Sequence, residues 1–414
     1  MRQSKLFGKT RRDISQDEKS INAELLIRGG FIEKHMAGVY NYLPLGLRVF
    51  RKVENIIRDE MNAVDGQEML MTALQPKDLW QKTGRWDEMQ DIMYQFPDGH
   101  GNEVGLATTH EEVVTELAKQ QINSYKDLPI YIYQIQDKFR NEKRAKSGLL
   151  RGREFSMKDL YSFHADEKDL DKYYMLVHDA YLKIFKRLGL EAFSVEASGG
   201  TMSKQFSHEF MVITEAGEDV TVLCKKCFWA QNKEIAQSKA GDKCPKCGHK
   251  LEEAKTVEAG NIFRLGTKYS SSLALQYTDK EGKKHDVLMG SYGIGLGRVM
   301  GTVVEASHDK DGIIWTKTTT PYHIHLLNFA KNGKTDEKSD SIYESLKSAG
   351  FDVLYDDREI SFGKKLKDAD LIGIPYQLVI SDKNQDLELI SRFDHKKEMM
   401  DIKQVINALD KFYK

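Results

Sequence analysis

The chain lacks most of the features that place a protein in a class at first sight. Its formal net charge is −1 over 414 residues, too little to hold nucleic acid by bulk basicity, so any such contact must be local. No apolar run approaches the ~18 residues of a membrane span. The basic start (Arg2, Lys5, Lys9, Arg11, Arg12) has no apolar stretch behind it, so no secretory leader is expected and the chain reads as cytoplasmic. Cysteine is scarce, with four residues, all between positions 224 and 247. That argues against a disulfide framework and, in a reducing compartment, for metal ligation. Internal repeats and low-complexity segments are missing as well. What is there, 40% apolar and 30% charged residues, is a globular composition. The length exceeds one hydrophobic core, which predicts two or three domains.

Hydrophobic periodicity organises the chain. Residues 43–61 open with Leu-Pro-Leu-Gly and place Val49, Val53, Ile56, Ile57 and Met61 at helical spacing, an amphipathic helix entered through a proline turn. Residues 67–71 read as a short strand and 109–121 as a helix. The stripe Leu170, Tyr174, Val177, Tyr181, Ile184 and Leu188 marks a second long helix over 168–188. A hairpin is expected at 130–163, and the whole suggests an antiparallel sheet flanked by helices. From about Glu215 the composition turns polar around the cysteines, and apolar alternation returns near Ile262, the mark of an insert. Strand, glycine turn and helix occupy 286–305. After a linker at 316–321, strands and helices alternate as a small α/β domain.

Several constellations carry chemistry. Strand parity puts Arg140 with Glu142 on one face of the hairpin, and Arg151, Phe155, Met157, Asp159 and Tyr161 on one face of its second strand. Such a surface offers a guanidinium for a phosphate, a carboxylate for an exocyclic amine and a ring for a base. The run Gly293-Ile-Gly-Leu-Gly297-Arg298 sets Arg298 in the first turn of a helix, where backbone amides and the dipole favour anions. The antiparallel context and the missing βαβ unit count against a dinucleotide fold. In Thr108-Thr109-His110-Glu111-Glu112, a capping box engages Thr108 with Glu111 or Thr109 with Glu112, leaving the other glutamate free to hold an ammonium group. Cys224-x-x-Cys227 and Cys244-x-x-Cys247, sixteen residues apart, fit a structural Zn²⁺ site, with a disulfide or free thiols as the alternatives. Lys143, Arg144 and Lys146 lie in the hairpin loop, where an RNA end is the expected polyanion.

With these residues in place the chain resembles the class II aminoacyl-tRNA synthetases, and among them the bacterial-type prolyl-tRNA synthetases, over almost its whole length. Residues 38–46 and the following helix are similar to the family's N-terminal segment and first class motif. Phe139-Arg140-Asn-Glu142 with 151–163 is similar to the second motif, 290–305 to the third, and Thr109-His-Glu111 to the proline-recognition loop. Ser207-His208-Glu-Phe210, 263–270, Asp356-Asp-Arg358 and 370–375 are further family-like segments. The resemblance implies a mixed α/β (α+β) class. An antiparallel-sheet catalytic domain would occupy 1–215 and 257–318, a small zinc-ribbon-like insert 216–256, and an α/β anticodon-binding domain 319–414.

It also implies a proline–tRNA ligase, in which proline and ATP with Mg²⁺ give prolyl-adenylate and the prolyl group passes to the 3′ end of tRNA(Pro). Arg140 would hold the α-phosphate and the proline carboxylate, Glu142 and Phe155 the adenine, Arg151 the nucleotide, and Arg298 the γ-phosphate. Thr109, Glu111, Asp159 and His208 would surround the proline, with Met157 and Phe163 as its apolar wall. Lys143, Arg144 and Lys146 would meet the acceptor stem. A homodimer is the default, with neither membrane nor DNA as a partner. Four departures from the family pattern are Thr72 in place of a proline, Ser203-Lys204-Gln205 in place of Gly-Gly-Ser, Arg144-Ala-Lys146-Ser in place of Arg-Pro-Arg, and only the cysteine segment where many members carry an editing domain. The last implies no editing in cis. The alternatives are an RNA-binding regulator that has lost catalysis, against which Arg140 and Arg298 stand, and a ligase for threonine or serine, against which 109–111 and 207–210 stand.

Overall fold

The computed structural model describes residues 1–13, 20–143, 145, 147–329, 333–381 and 386–414, with backbone alone at 333–336. Arg144 and Lys146 lie outside the described residues. The chain forms two compact units, one of Met1–His35, Tyr40–Lys52 and Val303–Lys414, the other of Met36–Val39 and Val53–Thr302.

The larger unit is built on one nine-stranded sheet and also holds a three-stranded one (Leu74–Pro76, Gln95–Pro97, Glu103–Leu106) and a two-stranded one (Gln276–Thr278, Lys284–Asp286). Among the described residues the strands of the main sheet are Gln67–Glu68 (β1), Ile130–Phe139 (β2), Glu154–His164 (β3), Ala192–Ala197 (β4), Ser207–Ile213 (β5), Asp219–Leu223 (β6), Ala230–Asn232 (β7), Glu252–Gly266 (β8) and Leu288–Gly295 (β9). They lie in the order β5-β4-β7-β6-β8-β9-β3-β2-β1, with β5 also pairing with β8. Only β1 with β2 and β7 with β4 run parallel. The expected hairpin is β2–β3, with Ile130 opposite Phe163 and Phe139 opposite Glu154. It is shorter than strand parity assumed. β2 ends at Phe139 and β3 begins at Glu154, so Arg140, Glu142 and Arg151 sit in irregular chain. There the Arg140 N–H donates to the Arg153 carbonyl (2.8 Å), the Asn141 N–H to Ile92 (2.7 Å) and the Arg153 N–H to Gly38 (2.7 Å). Loop hydrogen bonds, not alternation, aim these side chains. β6, β7 and the start of β8 carry the polar cysteine segment straight into the main sheet.

The helices follow their apolar stripes. In Pro44–Asn62 (α1), Val49, Val53, Ile57 and Met61 recur every four residues and are fully buried. Glu111–Lys119 (α2) follows the Thr109 loop, and Leu296–Ala306 (α4) leaves β9 directly with Leu296, Val299, Met300 and Val303 inside. Glu167–Arg187 (α3) starts at Asp166, whose side chain accepts from the Asp169 N–H at 2.9 Å. Its stripe of Leu170, Tyr174, Val177, Tyr181 and Ile184 covers β3, β8 and β9.

In the other unit Ile324–Asn328 (β10), Val353–Asp356 (β11), Tyr376–Ile380 (β12), Leu387–Ser391 (β13) and Lys397–Met400 (β14) lie in the order β11-β10-β12-β13-β14. The first three are parallel to one another and the rest antiparallel. Phe362–Ile372 (α6) and Ile402–Tyr413 (α7) belong to this α/β arrangement, and Gly333–Ser348 (α5) links β10 to β11. Ile324, Leu326, Leu346, Leu378, Val405 and Leu409 form its core. β14 escaped the sequence reading because Lys397-Glu-Met-Met400 is a mostly exposed edge with no apolar alternation.

The central strands leave no room to spare. A Cβ on Gly290 in β9 would stand 2.4 Å from the Tyr292 hydroxyl and 2.7 Å from the Ser162 hydroxyl. Those two hydroxyls are hydrogen-bonded to each other at 3.0 Å, and Tyr292 packs against Tyr173 and Tyr174 at 6.0 and 6.1 Å. Gly290→Ala is therefore expected to destabilise by about 1–3 kcal/mol through overpacking, read as a lowered midpoint in thermal unfolding. An unchanged midpoint would mean that this layer can give way.

Candidate active site

The irregular residues after β2 and the two central strands enclose a cavity of about 340 Å³. It is lined by Thr108, Thr109, Glu111, Arg140, Glu142, Phe155, Met157, Asp159, Ser291, Glu258 and Arg298, with Arg85, Tyr161, Met202 and Asn261 among the rest. A second, more polar space of about 310 Å³ shares Arg140, Glu142, Glu258 and Arg298 and adds Arg151, Glu218 and Asp219. Antiparallel register brings the walls together: Asp159 faces Gly293 and Met157 faces Gly295, while Gly260 faces Ile294 from the other side.

One end of this space gathers three guanidiniums, Arg140, Arg151 and Arg298, of which the last two are paired with carboxylates. Arg140 bonds, among the described residues, only to the Thr108 carbonyl, at 3.3 Å from both Nε and Nη2. Its guanidinium lies 5.3 Å above the Phe155 ring. Burial, and next the charge of Arg298, hold its pKa below the ordinary arginine value, without making it neutral. Arg298, in the first turn of α4, is held by Glu258 (3.0 Å) and by the Leu150 carbonyl (2.9 Å). Arg151 bridges Glu142 (2.9 Å) and Glu218 (2.8 Å). Arg140, whose guanidinium bonds to no carboxylate among the described residues, and Arg298, paired with Glu258, thus face an open space. An anion of more than one charge, laid over an aromatic ring, is the ligand that neutralises such an arrangement.

The other end is anionic and rigid. The expected capping box is not formed: the N-cap of α2 is His110, which makes no side-chain cap bond. Thr109 Oγ1 instead donates to the Glu111 carboxylate, which also accepts from Ser291 Oγ at 3.2 Å. Glu112 points the other way and accepts from Arg85 at 2.9 and 3.1 Å and from Thr83 at 2.9 Å. Burial above all pushes the Glu112 carboxyl up from its ordinary value, with Arg85 opposing. Arg85 itself lies between the Trp80 and Tyr269 rings, at 5.0 and 5.4 Å, and 3.6 Å from Glu111.

Asp159 lines the cavity, yet both its oxygens are engaged, one by Lys138 (2.8 Å), the other by Gln134 (2.9 Å) and Tyr161 (3.0 Å). The Tyr161 hydroxyl in turn accepts from the His110 N–H at 3.2 Å, which fixes the Thr109–Glu111 loop. Desolvation, then the nearby Lys138 charge, brings the buried His110 ring down to about 4, so it is neutral near pH 7.

Not every expected residue arrives. His208 does not line the cavity. β5 alternation turns it toward α3, where Nδ1 meets the Tyr174 hydroxyl at 2.8 Å, and burial brings it to about 4. Phe163, fully buried, packs instead with Tyr269, Leu275 and Met289 behind the wall. Lys143 is exposed and paired with Asp91 at 3.0 Å. Arg85, Lys138 and Gln134 were missed. The last two carried a signal, polar residues at alternate strand positions that prove buried, whereas Arg85 meets its glutamates across 26 residues of chain with no local mark.

The four cysteines converge. Cys224 and Cys247 Sγ are 3.5 Å apart, Cys227 and Cys244 3.6 Å, and all four lie within 4.8 Å of one another. A tetrahedral ion with Zn–S bonds of about 2.3 Å needs sulfurs about 3.8 Å apart. The donor set fits.

Comparison with known proteins follows the same lines. Residues 94–307 match the tRNA synthetase class II core domain (G, H, P, S and T), and 323–412 an anticodon binding domain. The chain is 38% identical to the proline–tRNA ligase of Sulfurimonas denitrificans over 416 residues, 96% of this chain and 95% of the relative. It is 32% identical to that of Moorella thermoacetica over 529 residues, 92% of each. The second alignment is longer than this chain, so that relative carries sequence this chain lacks. A prolyl-tRNA synthetase of Cryptosporidium parvum, solved with L-proline and AMP, superposes with a TM-score of 0.76 at 15% identity over 95% of this chain and 78% of that one. One of Giardia lamblia, solved with prolyl-adenylate, superposes with a TM-score of 0.78 at 17% identity over 95% of this chain and 79% of that one. At such identities the superpositions establish the fold.

The buried Arg85–Glu112 pair makes a prediction with a definite sign. Arg85→Met strands a buried carboxylate and is expected to cost about 3–5 kcal/mol near pH 7. Without Arg85 the folded-state pKa of Glu112 rises further above its unfolded value, so the deficit is full above the folded pKa and shrinks as pH falls through it. Chemical denaturation of wild type and variant from pH 8 to 5 checks this; a deficit independent of pH would remove Glu112 as its cause.

Proposed function

Because the chain belongs to the proline–tRNA ligases, a family of class II aminoacyl-tRNA synthetases, we propose how its own residues carry out the two steps of that reaction. Proline is activated by ATP, taken as its Mg²⁺ complex. An oxygen of the proline carboxylate attacks the α-phosphorus, the bond to the bridging oxygen breaks, and pyrophosphate leaves. The prolyl group then passes to a hydroxyl of the terminal ribose of tRNA(Pro), releasing AMP. No general base is needed for the first step, since the carboxylate is already ionised. The task is to bring like charges together in a fixed geometry.

The observation that carries this reading is Arg140, a guanidinium at the cavity wall that, among the described residues, bonds only to one carbonyl. We assign it to the α-phosphate and the proline carboxylate, where charge builds in the transition state. Phe155 and Glu142 are placed to take the adenine, with Arg151 orienting Glu142, and Arg298 takes the γ-phosphate. Glu111, with Thr109, receives the secondary ammonium of proline, and Met157 contributes apolar wall. Asp159, with its oxygens already occupied, acts by holding Tyr161 and the loop. Residues 1–215 and 257–318 serve as the catalytic domain and 319–414 reads the anticodon. Lys143, exposed beside the cavity loop, is assigned to the acceptor stem. The regulator reading is not favoured. A longer editing region has no counterpart here, so hydrolysis of mischarged alanyl-tRNA in cis is not part of this reading. Exposed apolar side chains at Leu70 (71%), Leu74 (52%) and Phe96 (40%) support a homodimer, and the chain is assigned to the cytoplasm.

Pyrophosphate exchange into ATP tests the activation step. Proline, but not threonine or serine, is expected to drive it, and Arg140→Ala to lower it by about a hundredfold or more. No exchange with any amino acid would return the regulator to consideration. The cysteine cluster is read as a structural Zn²⁺ site of residues 216–256, in which the ion would lock two turns together. Elemental analysis of protein purified under reducing conditions is expected to find about one zinc per chain, and none in a variant with Cys224 and Cys244 replaced by serine. Metal-free wild-type protein of normal stability would refute it.

A further inference from the structure

The two turns that carry the cysteines share one backbone. The Phe228 N–H donates to the Cys224 carbonyl (2.9 Å) as the Gly248 N–H does to Cys244 (2.8 Å), and Cys224 and Cys244 donate to Trp229 and His249 at 2.8 and 2.7 Å. The residue after the second cysteine is left-handed in both, with φ 57° at Phe228 and 73° at Gly248. The second turn uses the residue that this conformation favours. The first places a bulky side chain there, an uncommon arrangement that points to a use for the side chain. That use is not packing. The small core around the sulfurs is made by Val222, Leu251 and the cysteines, with Trp229 against it, while Phe228 is 70% exposed.

The charges around the turns are also unbalanced. Lys225 and Lys233 pair with Glu252 (2.7 Å) and Glu253 (2.9 Å), but Lys226, Lys243, Lys246 and Lys250, all exposed, carry no ion pair among the described residues. Lys243 and Lys250 are bridge partners across the second turn, and like charges set opposite each other repel. A ring offered to solvent on the same pair of turns as ammonium groups without a close ion pair is a combination that binds single-stranded nucleic acid, in which each nucleotide brings a π-face and a phosphate.

We propose that this ribbon is an RNA contact: Phe228 stacks on an unpaired nucleotide of the tRNA 3′ end, and Lys226, Lys243, Lys246 and Lys250 neutralise the flanking phosphates. The inference rests on the ligase reading, which requires that end to enter the cavity. Geometry agrees with it. β8 begins at Glu252, next to the second turn, and reaches Glu258 on the cavity wall after six residues, about 20 Å at the rise of a strand.

The test uses zinc-loaded full-length protein and fluorescence anisotropy with a labelled tRNA(Pro) transcript, intact or trimmed of its unpaired 3′ nucleotides. Phe228→Gly copies the second turn, so it folds at least as well as wild type, and its proline-dependent pyrophosphate exchange, which needs no tRNA, stays unchanged. Its affinity for intact tRNA is expected to fall about fivefold or more, with no difference from wild type on trimmed tRNA. Replacing Lys226, Lys246 and Lys250 together by alanine is expected to lower the salt slope of binding by about 2. Equal affinity of Phe228→Gly and wild type for intact tRNA overturns the proposal, as does an equal loss on intact and trimmed tRNA. So does a changed oligomeric state with RNA affinity unaltered, which would give the ring to a protein partner. Absent exchange in wild type counts against the ligase reading alone, because the binding comparison reads out without it.

Discussion

A guanidinium held beside a cavity without a carboxylate of its own is the constraint around which this protein is arranged. Arg140 cannot lower its charge by losing a proton, since arginine stays protonated in proteins. It has one carbonyl, at 3.3 Å, to bond to. The neighbouring Arg298 charge adds to the cost. Such a group persists only if the surrounding structure fixes it independently, and here the fixing is done by the loop backbone: the Arg140, Asn141 and Arg153 N–H groups each donate to a carbonyl of another segment, at 2.7–2.8 Å. The large sheet beneath supplies the rigidity. Its central strands are buried on both faces, and the register of β3 against β9 sets Met157 and Asp159 where the cavity needs them.

The anionic end is arranged by the opposite device, a connected network, with Thr108 Oγ1 and His110 Nδ1 left without a hydrogen-bond partner among the described residues. Lys138, Asp159, Tyr161 and the His110 N–H form one connected network in which each polar group found has a partner. In a medium of low dielectric a network of this kind is stiff, because breaking any bond leaves a buried polar group uncompensated. The outcome is a loop whose second carboxylate, Glu111, is held at the cavity wall by the Thr109 and Ser291 hydroxyls. Arg85 stands 3.6 Å from that carboxylate, while the closer bonds of Arg85 go to Glu112.

What was legible in the sequence was what is local. The stripe of α3, the glycine turn into α4 and the spacing of the cysteines all involve residues that are near in the chain and meet in the fold, and the family motifs fall on these same segments. The hairpin was legible as an element but not in its ends, because a loop hydrogen-bonded to distant carbonyls aims Arg140 and Arg151 without regard to strand parity. His208 illustrates a different limit. It entered only through a family-like segment, and which face of β5 it occupies, and which of the two faces meets α3, depends on the pairing of β5 with β4 and β8, a property of the whole sheet. Arg85 had no signal at all, since a lone arginine in a short helix becomes informative only once its carboxylate partners, far away in sequence, are placed beside it.

The pair Glu111–Glu112 brings these strands of argument together. Adjacent residues in a helix project about 100° apart, so two carboxylates at the start of α2 cannot both face the cavity. One is turned to the ligand and the other to Arg85 behind it. Capping, the local role the sequence suggested for one of them, is left to neither. The N-terminal amides of α2 and its dipole still favour negative charge there, so the helix stabilises both carboxylates while Arg85 distinguishes them. Glu112 becomes the inner half of a buried ion pair, and Glu111 is left as the carboxylate that a cationic substrate can complete. Which buried charges the protein pairs for itself and which it leaves facing the cavity is thus decided by one set of packing choices around the start of α2.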